Sequence, residues 1–303
     1  MSAMKEISNV ICVAKPLDRN NILPGLPSIC HASAVENMVQ PETIDQDFPF
    51  VFFSNPMKDL VRRLCLIAPT ERPVLIQGES GTGKDTVAKL LHAYSHRKHQ
   101  PLVRIHCGSI PEQPAEIWWK AAHASSVWRR LFSSELIPPE INSGTLVLDN
   151  VDELPKPFQA DLLRIINRVM PIIHENHQPD WDAFRVVTTT KVNLAEKVRN
   201  RQFIGGLLYK ISAISLTVPP LRERHDDINY LIDLTVKKIH SELISSNYPL
   251  SSLVQISHEA REFLMNYNWP GNLHELYNTL ARTILWSENN LICPDILKGF
   301  MHD

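Results

Sequence analysis

Residues 48–224 predict an α/β domain built on a parallel sheet, and residues 225–303 predict a smaller, wholly helical domain. Three observations carry this. Short β-type runs alternate with helical ones between Pro73 and Val218; a glycine-rich loop joins the first of those runs to a helix; and the β pattern stops after VPPLRERHDD. Strands alternating with helices build a parallel sheet covered on both faces. Uniformly apolar runs fit strands buried on both sides.

The elements follow in order. Residues 1–47 show no sustained periodicity and carry Pro16, Pro24, Pro27 and Pro41, so they read as a loosely ordered arm with a short helix near 33–39. MKDLVRRLCLIA (57–68) sets Leu60, Val61, Leu64 and Ile67 at helical spacing. Strand-like runs come at PVLIQ (73–77), LVRIH (102–106), TLVLD (145–149), RVVTT (185–189) and ISLTV (214–218), with helices over 85–95, 156–170 and 193–201. The C-terminal part holds three helical stretches: DINYLIDLTVKKIHSEL, SHEAREFLMNYN with Ser257 as its N-cap, and NLHELYNTLARTILWSE.

Composition narrows the function classes. A net charge of −2 gives no whole-chain attraction to nucleic acid or to an anionic membrane. No apolar run reaches the roughly 18–20 residues that span a bilayer, and MSAMKEISNVICVAKPLDRN lacks a secretory pattern. The cysteines at 12, 30, 65, 107 and 293 have no CxxC spacing, which argues against a disulfide framework or zinc site and for a reducing compartment. A cytoplasmic address without membrane partners is the expectation. HAYSHRKH (92–99) sets His92, His96 and His99 at helical spacing and reads as a solvated helix end.

GESGTGKD (78–85) matches G-x-x-x-x-G-K, with Gly78, Gly83 and Lys84 at the fixed places. Gly78, Gly81 and Gly83 let the backbone turn its N–H groups inward, building an anion nest where a helix begins. Lys84 would reach the β- and γ-phosphates, with Glu79, Ser80 and Thr82 completing the loop. The usual magnesium-binding hydroxyl is absent at Asp85 or displaced to Thr86; Asp85 could hold Mg2+ through a water.

The stretches PVLIQGESGTGKD, PLVRIHCGSIPE, NSGTLVLDNVDELPKPFQADLLRIIN, LTVPPLRERHDDI and NWPGNLHEL together resemble the AAA+ domain of bacterial enhancer-binding proteins, which activate sigma-54 RNA polymerase. The resemblance runs from about residue 48 to 303. It implies a P-loop αβα sandwich with a helical lid, a homo- or hetero-oligomeric ring, and ATP between neighbouring subunits. It also implies Mg2+ at Asp149, the first sensor at Thr190, and sigma-54 RNA polymerase or a related activator as partner.

Against that family the chain departs at several points. Asn150 stands where a glutamate activates the attacking water, and an amide cannot accept that proton. His106 replaces an asparagine that restrains the glutamate. FIGGLLYKI (203–211) places Ile204 and Lys210 at the two arginine-finger positions; Lys210 keeps a charge but loses the planar fork. The lid sensor arginine becomes His274. A positioned base contributes roughly 10²–10⁴-fold and an arginine finger roughly 10³–10⁵-fold, so the chain reads as one that holds ATP and barely hydrolyses it. Alternatives are an active ATPase with Asp152 or Glu153 as base, complementation by an intact partner subunit, and a nucleotide-free scaffold.

The family's sigma-contacting loop carries GAFTGA; here an ungapped reading gives SSVWRR (125–130). Trp118, Trp119, Trp128, Arg129 and Arg130 fit either inward-packed core or a rebuilt protein-binding surface, since Trp and Arg are enriched at binding hot spots. The chain ends at Asp303 just after the lid, so direct DNA binding through a helix-turn-helix is not expected.

Overall fold

The computed structural model describes residues 11–14, 50–110, 143–169, 184–246, 254–287 and 291–300. The short helix near 33–39 and the Trp118–Arg130 stretch lie outside them. Among the described residues, one compact unit gathers 11–14, 63–78 and 84–217, and a second gathers 50–62, 79–83 and 218–300. Helix α1 (Asn55–Ile67) is divided between them.

The first unit is the α/β domain that the alternating pattern predicts. Its strands are β1 (Ile11–Ala14), β2 (Val74–Gln77), β3 (Leu102–His106), β4 (Thr145–Asp149), β5 (Arg185–Thr190) and β6 (Ile214–Thr217), in the order β1-β3-β4-β5-β2-β6. β2 to β6 are mutually parallel, with Val74 opposite Val187 and Ile214, and Ile105 opposite Leu148. β1 pairs antiparallel with β3, Ile11 opposite Ile105. This edge strand falls in the arm, where four residues are too few to show a period.

Helices α2 (Lys84–Ala93), α3 (Lys156–Val169), α4 (Leu194–Arg199) and α5 (Gly205–Ile211) complete the unit. Helix α3 seats Phe158, Leu162 and Ile166 in the core, and α5 adds Leu207 and Ile211. In an open parallel sheet, ligands bind beyond the carboxyl ends of the strands. Here those ends are Gln77, His106, Asp149 and Thr190.

The second unit is mainly helical: α6 (His225–Ser245), α7 (His258–Asn266), α8 (Asn272–Trp286) and α9 (Pro294–Lys298). The Ser257 hydroxyl caps α7, accepting from Ala260 N–H at 3.1 Å. Two residues each of β7 (Gln255–Ile256) and β8 (Leu291–Ile292) pair in parallel, which corrects the expectation of a wholly helical region. Strands this short leave no alternation to read. Asp227 anchors the unit's polar interior: its buried carboxylate accepts from Phe53 N–H, Ser54 N–H, the Ser54 hydroxyl and Arg224 Nε. Without those four donors a buried carboxylate would be strongly destabilising.

The histidine cluster also differs from expectation. His96 and His99 are exposed, but His92 is only 1% exposed and sits with Nδ1 2.8 Å from Thr145 Oγ1. It lies on the α2 face that packs on the sheet, so periodicity alone placed it wrongly. Burial pushes the imidazole pKa down to about 4, and the Arg185 and Arg97 charges push the same way. The unfolded value is about 6.5. Between the two, only the unfolded chain takes up the proton, so stability is full above about pH 7 and falls as pH drops toward about 4. The loss is at most about 3 kcal/mol. Urea midpoints measured at about pH 5 and pH 8 are expected to show it, and His92→Gln is expected to flatten the slope.

Candidate functional site

The glycine-rich loop leaves β2 after Gln77 and enters α2 at Lys84. At its start, Gly78 N–H donates to Thr190 O at 3.2 Å, tying the loop to the end of β5. Gly81 and Gly83 have φ of 76° and 94°, the left-handed region that a Cβ disfavours. Lys84 is buried, and its Nζ donates to Gly78 O at 2.8 Å. Burial presses the ammonium pKa down, while the Asp85, Asp149 and Asp152 carboxylates hold it up.

Residues 79–83 belong to the second unit, which grips them at several points. The Arg222 guanidinium forks onto the Glu79 carboxylate at 2.9 and 2.6 Å. Asn272 Nδ2 donates to Glu79 Oε2 at 3.2 Å and to Ser80 O at 2.9 Å, while its Oδ1 accepts from Leu221 N–H at 2.7 Å. Leu273 N–H donates to Gly81 O at 3.0 Å, and Thr82 Oγ1 to Glu79 O at 2.9 Å. His274, in the first turn of α8, has its Cβ 3.4 Å from where a Cβ on Gly81 would stand. Within this unit the lid residue and the loop are therefore neighbours.

At the strand ends of the first unit the charges are arranged around Arg104. Its Nη2 donates to Asp149 Oδ2 at 3.0 Å and to Asp85 Oδ2. Asp149 Oδ1 also accepts the Thr189 hydroxyl. Burial works against the Asp149 anion, yet Thr189 and Arg104 more than offset it, and the carboxyl pKa lies below the usual range. Asp85 goes the other way: burial raises its pKa, with Arg104 opposing and Asp149 adding to the rise. Thr86 is buried on α2.

The two carboxylates that the sequence assigns to Mg2+ thus share one guanidinium. As arranged both are engaged by that guanidinium, whereas Mg2+ at a phosphate site takes one or two carboxylates, with waters and phosphates, at about 2.0–2.1 Å. A metal bridging them would have to displace Arg104. Among the described residues, no group of three His, Cys, Asp or Glu side chains could hold a metal.

Asn150 follows in the left-handed conformation, φ 51° and ψ 56°, with its N–H donated to Thr189 Oγ1 at 3.0 Å. Its acidic neighbours are engaged. Asp152 Oδ1 accepts the Thr190 hydroxyl at 2.8 Å, and Glu153 Oε1 pairs with Lys191 Nζ at 2.5 Å. His106 is exposed at the end of β3, in register with Asp149. Ile204 caps α5, donates its N–H to Gln159 Oε1 at 2.9 Å and packs against its own unit's core. Lys210 is half-buried in the last turn of α5.

In the first unit, then, Gly78, Lys84, Asp85, Asp149, Asn150 and Thr190 gather at the strand ends; in the second, Glu79–Gly83 and His274 gather around Arg222 and Asn272. Ile204 and Lys210 stand on α5. Arg104, Arg222, Asn272 and Thr189 were given no role by sequence reasoning. One signal was available for the first: an arginine set between Val103 and Ile105 in the strand-like run LVRIH.

A family model described as the Sigma-54 interaction domain matches residues 50–217, and one described as an AAA+ ATPase lid domain matches residues 222–303. The transcriptional regulatory protein FlbD of Caulobacter vibrioides is 32% identical over 247 residues, 80% of this chain and 52% of FlbD. The response regulator protein PilR of Pseudomonas aeruginosa is 33% identical over 245 residues, 81% of this chain and 54% of PilR. NtrX from Brucella abortus in complex with ATP superposes with a TM-score of 0.65 at 25% identity, over 82% of this chain and 56% of NtrX. Its complex with ADP gives 0.66 at 25% identity, over 84% and 56%. The chain spans about half the length of these relatives.

Loop geometry makes one substitution decisive. A Cβ on Gly81 would lie 2.4 Å from the Gly271 carbonyl oxygen, a backbone atom that cannot swing aside. Gly81→Ala is expected to cost about 1–3 kcal/mol in urea unfolding. Gly205→Ala, at the first turn of α5 with only a Val198 methyl at 3.4 Å, is expected to cost roughly nothing.

Proposed function

The chain belongs to the sigma-54 interaction domain family, with an AAA+ lid, and on that premise we propose that it holds ATP in transcriptional regulation while hydrolysing it poorly. ATP is assigned to Gly78–Thr86, with Thr190 and His274 in the two sensor roles. Support for the nucleotide comes from the loop and from NtrX, whose structures in complex with ATP and ADP superpose on this chain. No helix among the described residues is long and apolar enough to cross a membrane.

The observation that carries the weak-hydrolysis reading is the end of β4. The base position holds an amide, Asn150, and the acids that follow it are already engaged, Asp152 by Thr190 and Glu153 by Lys191. Freeing either would break a hydrogen bond, and the buried Asp152 also lies against the Lys197 ammonium, which donates to its carbonyl oxygen at 2.8 Å. The finger position at Ile204 is apolar and turned into its own core. A subunit built this way has neither a base for its own nucleotide nor a full pair of fingers to lend.

Such a chain would work inside a ring with catalytically intact relatives, or by occupying a partner such as sigma-54 RNA polymerase or an activator of it. An intact neighbour could supply the missing fingers in trans, but the amide at Asn150 would still be in place of the base.

Fluorescence titration and phosphate-release assays on the purified chain test this reading. The chain is expected to bind ATP, to lose at least about tenfold in affinity with Lys84→Ala, and to turn over at least about 10²-fold more slowly than an intact activator. Asn150→Glu is expected to recover only part of that rate, because the effects of base and fingers do not act independently. Turnover by the unaltered chain at the level of an intact activator would overturn the proposal.

A further inference from the structure

We propose that Arg104 is a built-in counter-cation of the nucleotide site, holding Asp85 and Asp149 in place of Mg2+, so that this chain binds a nucleoside triphosphate without a divalent metal. The inference rests on the nucleotide-binding reading above and concerns how that site is charge-balanced.

The placement follows from strand geometry. Successive side chains of a strand point to opposite faces, so Leu102, Arg104 and His106 of β3 share one face and the buried Val103 and Ile105 the other. β3 and β4 are parallel with Arg104 beside Val147 and His106 beside Asp149. Neighbouring residues in register share a face, which puts Asp149 and Arg104 on the same side of the sheet. α2 lies along that side, because its His92 reaches Thr145, four residues before Asp149 on β4. Asp85, in the first turn of α2, is thereby brought to the same guanidinium.

The electrostatics require a cation at this point. Two carboxylates that close repel, and one would be driven toward its neutral form unless positive charge stood between them. Mg2+ supplies that charge in a metal-dependent site, but it is a small ion that dehydrates reluctantly and demands oxygen ligands in a fixed geometry. A guanidinium is planar, always charged and more weakly hydrated, and its several donors can serve two acids at once. Arg104 is carried by a strand of the sheet and is delivered by folding itself. A metal entering here must first break two charge-assisted hydrogen bonds, and the cation it would replace remains tethered alongside.

Such a site should treat metal-bound and metal-free nucleotide nearly alike. Lys84 would meet the phosphates while the guanidinium balances the two carboxylates, and neither leaves with the chelator.

The test uses the full chain, a fluorescent ATP analogue, and buffers containing either Mg2+ or EDTA. The unaltered chain is expected to show Kd values within about threefold of each other, and Arg104→Gln to bind at least about tenfold more weakly in EDTA than in Mg2+. Arg104→Lys, which keeps the charge, is expected to restore most of the metal independence. A loss of about tenfold or more in EDTA by the unaltered chain overturns the inference.

Titration of the nucleotide-free proteins with Mn2+, followed by electron paramagnetic resonance, reads the same site without nucleotide. Arg104→Gln is expected to take up Mn2+ and the unaltered chain to exclude it; equal uptake by both overturns the inference. If the analogue fails to bind in either buffer, the nucleotide reading falls, and the Mn2+ result still decides whether Arg104 occupies the cation position.

Discussion

Two carboxylates at the mouth of a parallel sheet have to be reconciled with each other, and the Arg104 guanidinium does this in the first unit. From it a line of bonds runs across three strands. Arg104 on β3 holds Asp149 on β4, Asp149 accepts the hydroxyl of Thr189 on β5, and that same hydroxyl oxygen accepts the N–H of Asn150. The parallel register makes the line possible, since it brings the ends of β3, β4 and β5 level. Each group in the line thereby has its partner, as a half-buried polar network must to avoid costing stability.

The same network bears on the residue at the base position. With its N–H drawn to Thr189, Asn150 takes up a left-handed backbone conformation before the 3₁₀ turn Val151–Glu153. That conformation clashes with the Cβ of most L-residues at a cost of roughly 1–2 kcal/mol, and asparagine is among the few that visit it routinely. Asn150 therefore suits the local backbone as it stands. On the reading proposed above, the amide that would stand in for a general base also relieves a turn, so the residue would have a structural footing as well as a catalytic consequence.

The sheet and most helices were legible because their signals are local. Buried strands such as TLVLD and VLIQ are continuous apolar runs, and Ser257 stands directly before the helix it caps. The pieces that escaped are short or non-local. β1, β7 and β8 have four residues or fewer. Glu79 meets Arg222 and Asn272 from 143 and 193 residues away, a pairing that spacing along the chain cannot announce. Asn150, Ile204 and Lys210 could be singled out in the sequence through the resemblance alone, but the engagement of Asp152 and Glu153 required coordinates. Arg104 was visible as a charge set between two apolar residues of a strand, while its two partners were not.

Holding a phosphate chain and cleaving it make different demands on such a site. Holding needs inward N–H groups, positive charge and a loop that costs little to order. Residues 79–83 meet the last demand within the second unit, where the Arg222 fork, both ends of the Asn272 amide and the Leu273 N–H fix the loop without help from a ligand. Cleavage needs groups that interact more strongly with the transition state than with bound substrate: a carboxylate that takes a proton as the water attacks, and a mobile cation that meets charge as it builds on the leaving oxygens. Arg104 is positively charged, yet it is committed to two carboxylates before any reaction begins. A charge spent on ground-state balance offers the transition state little that the bound nucleotide did not already have.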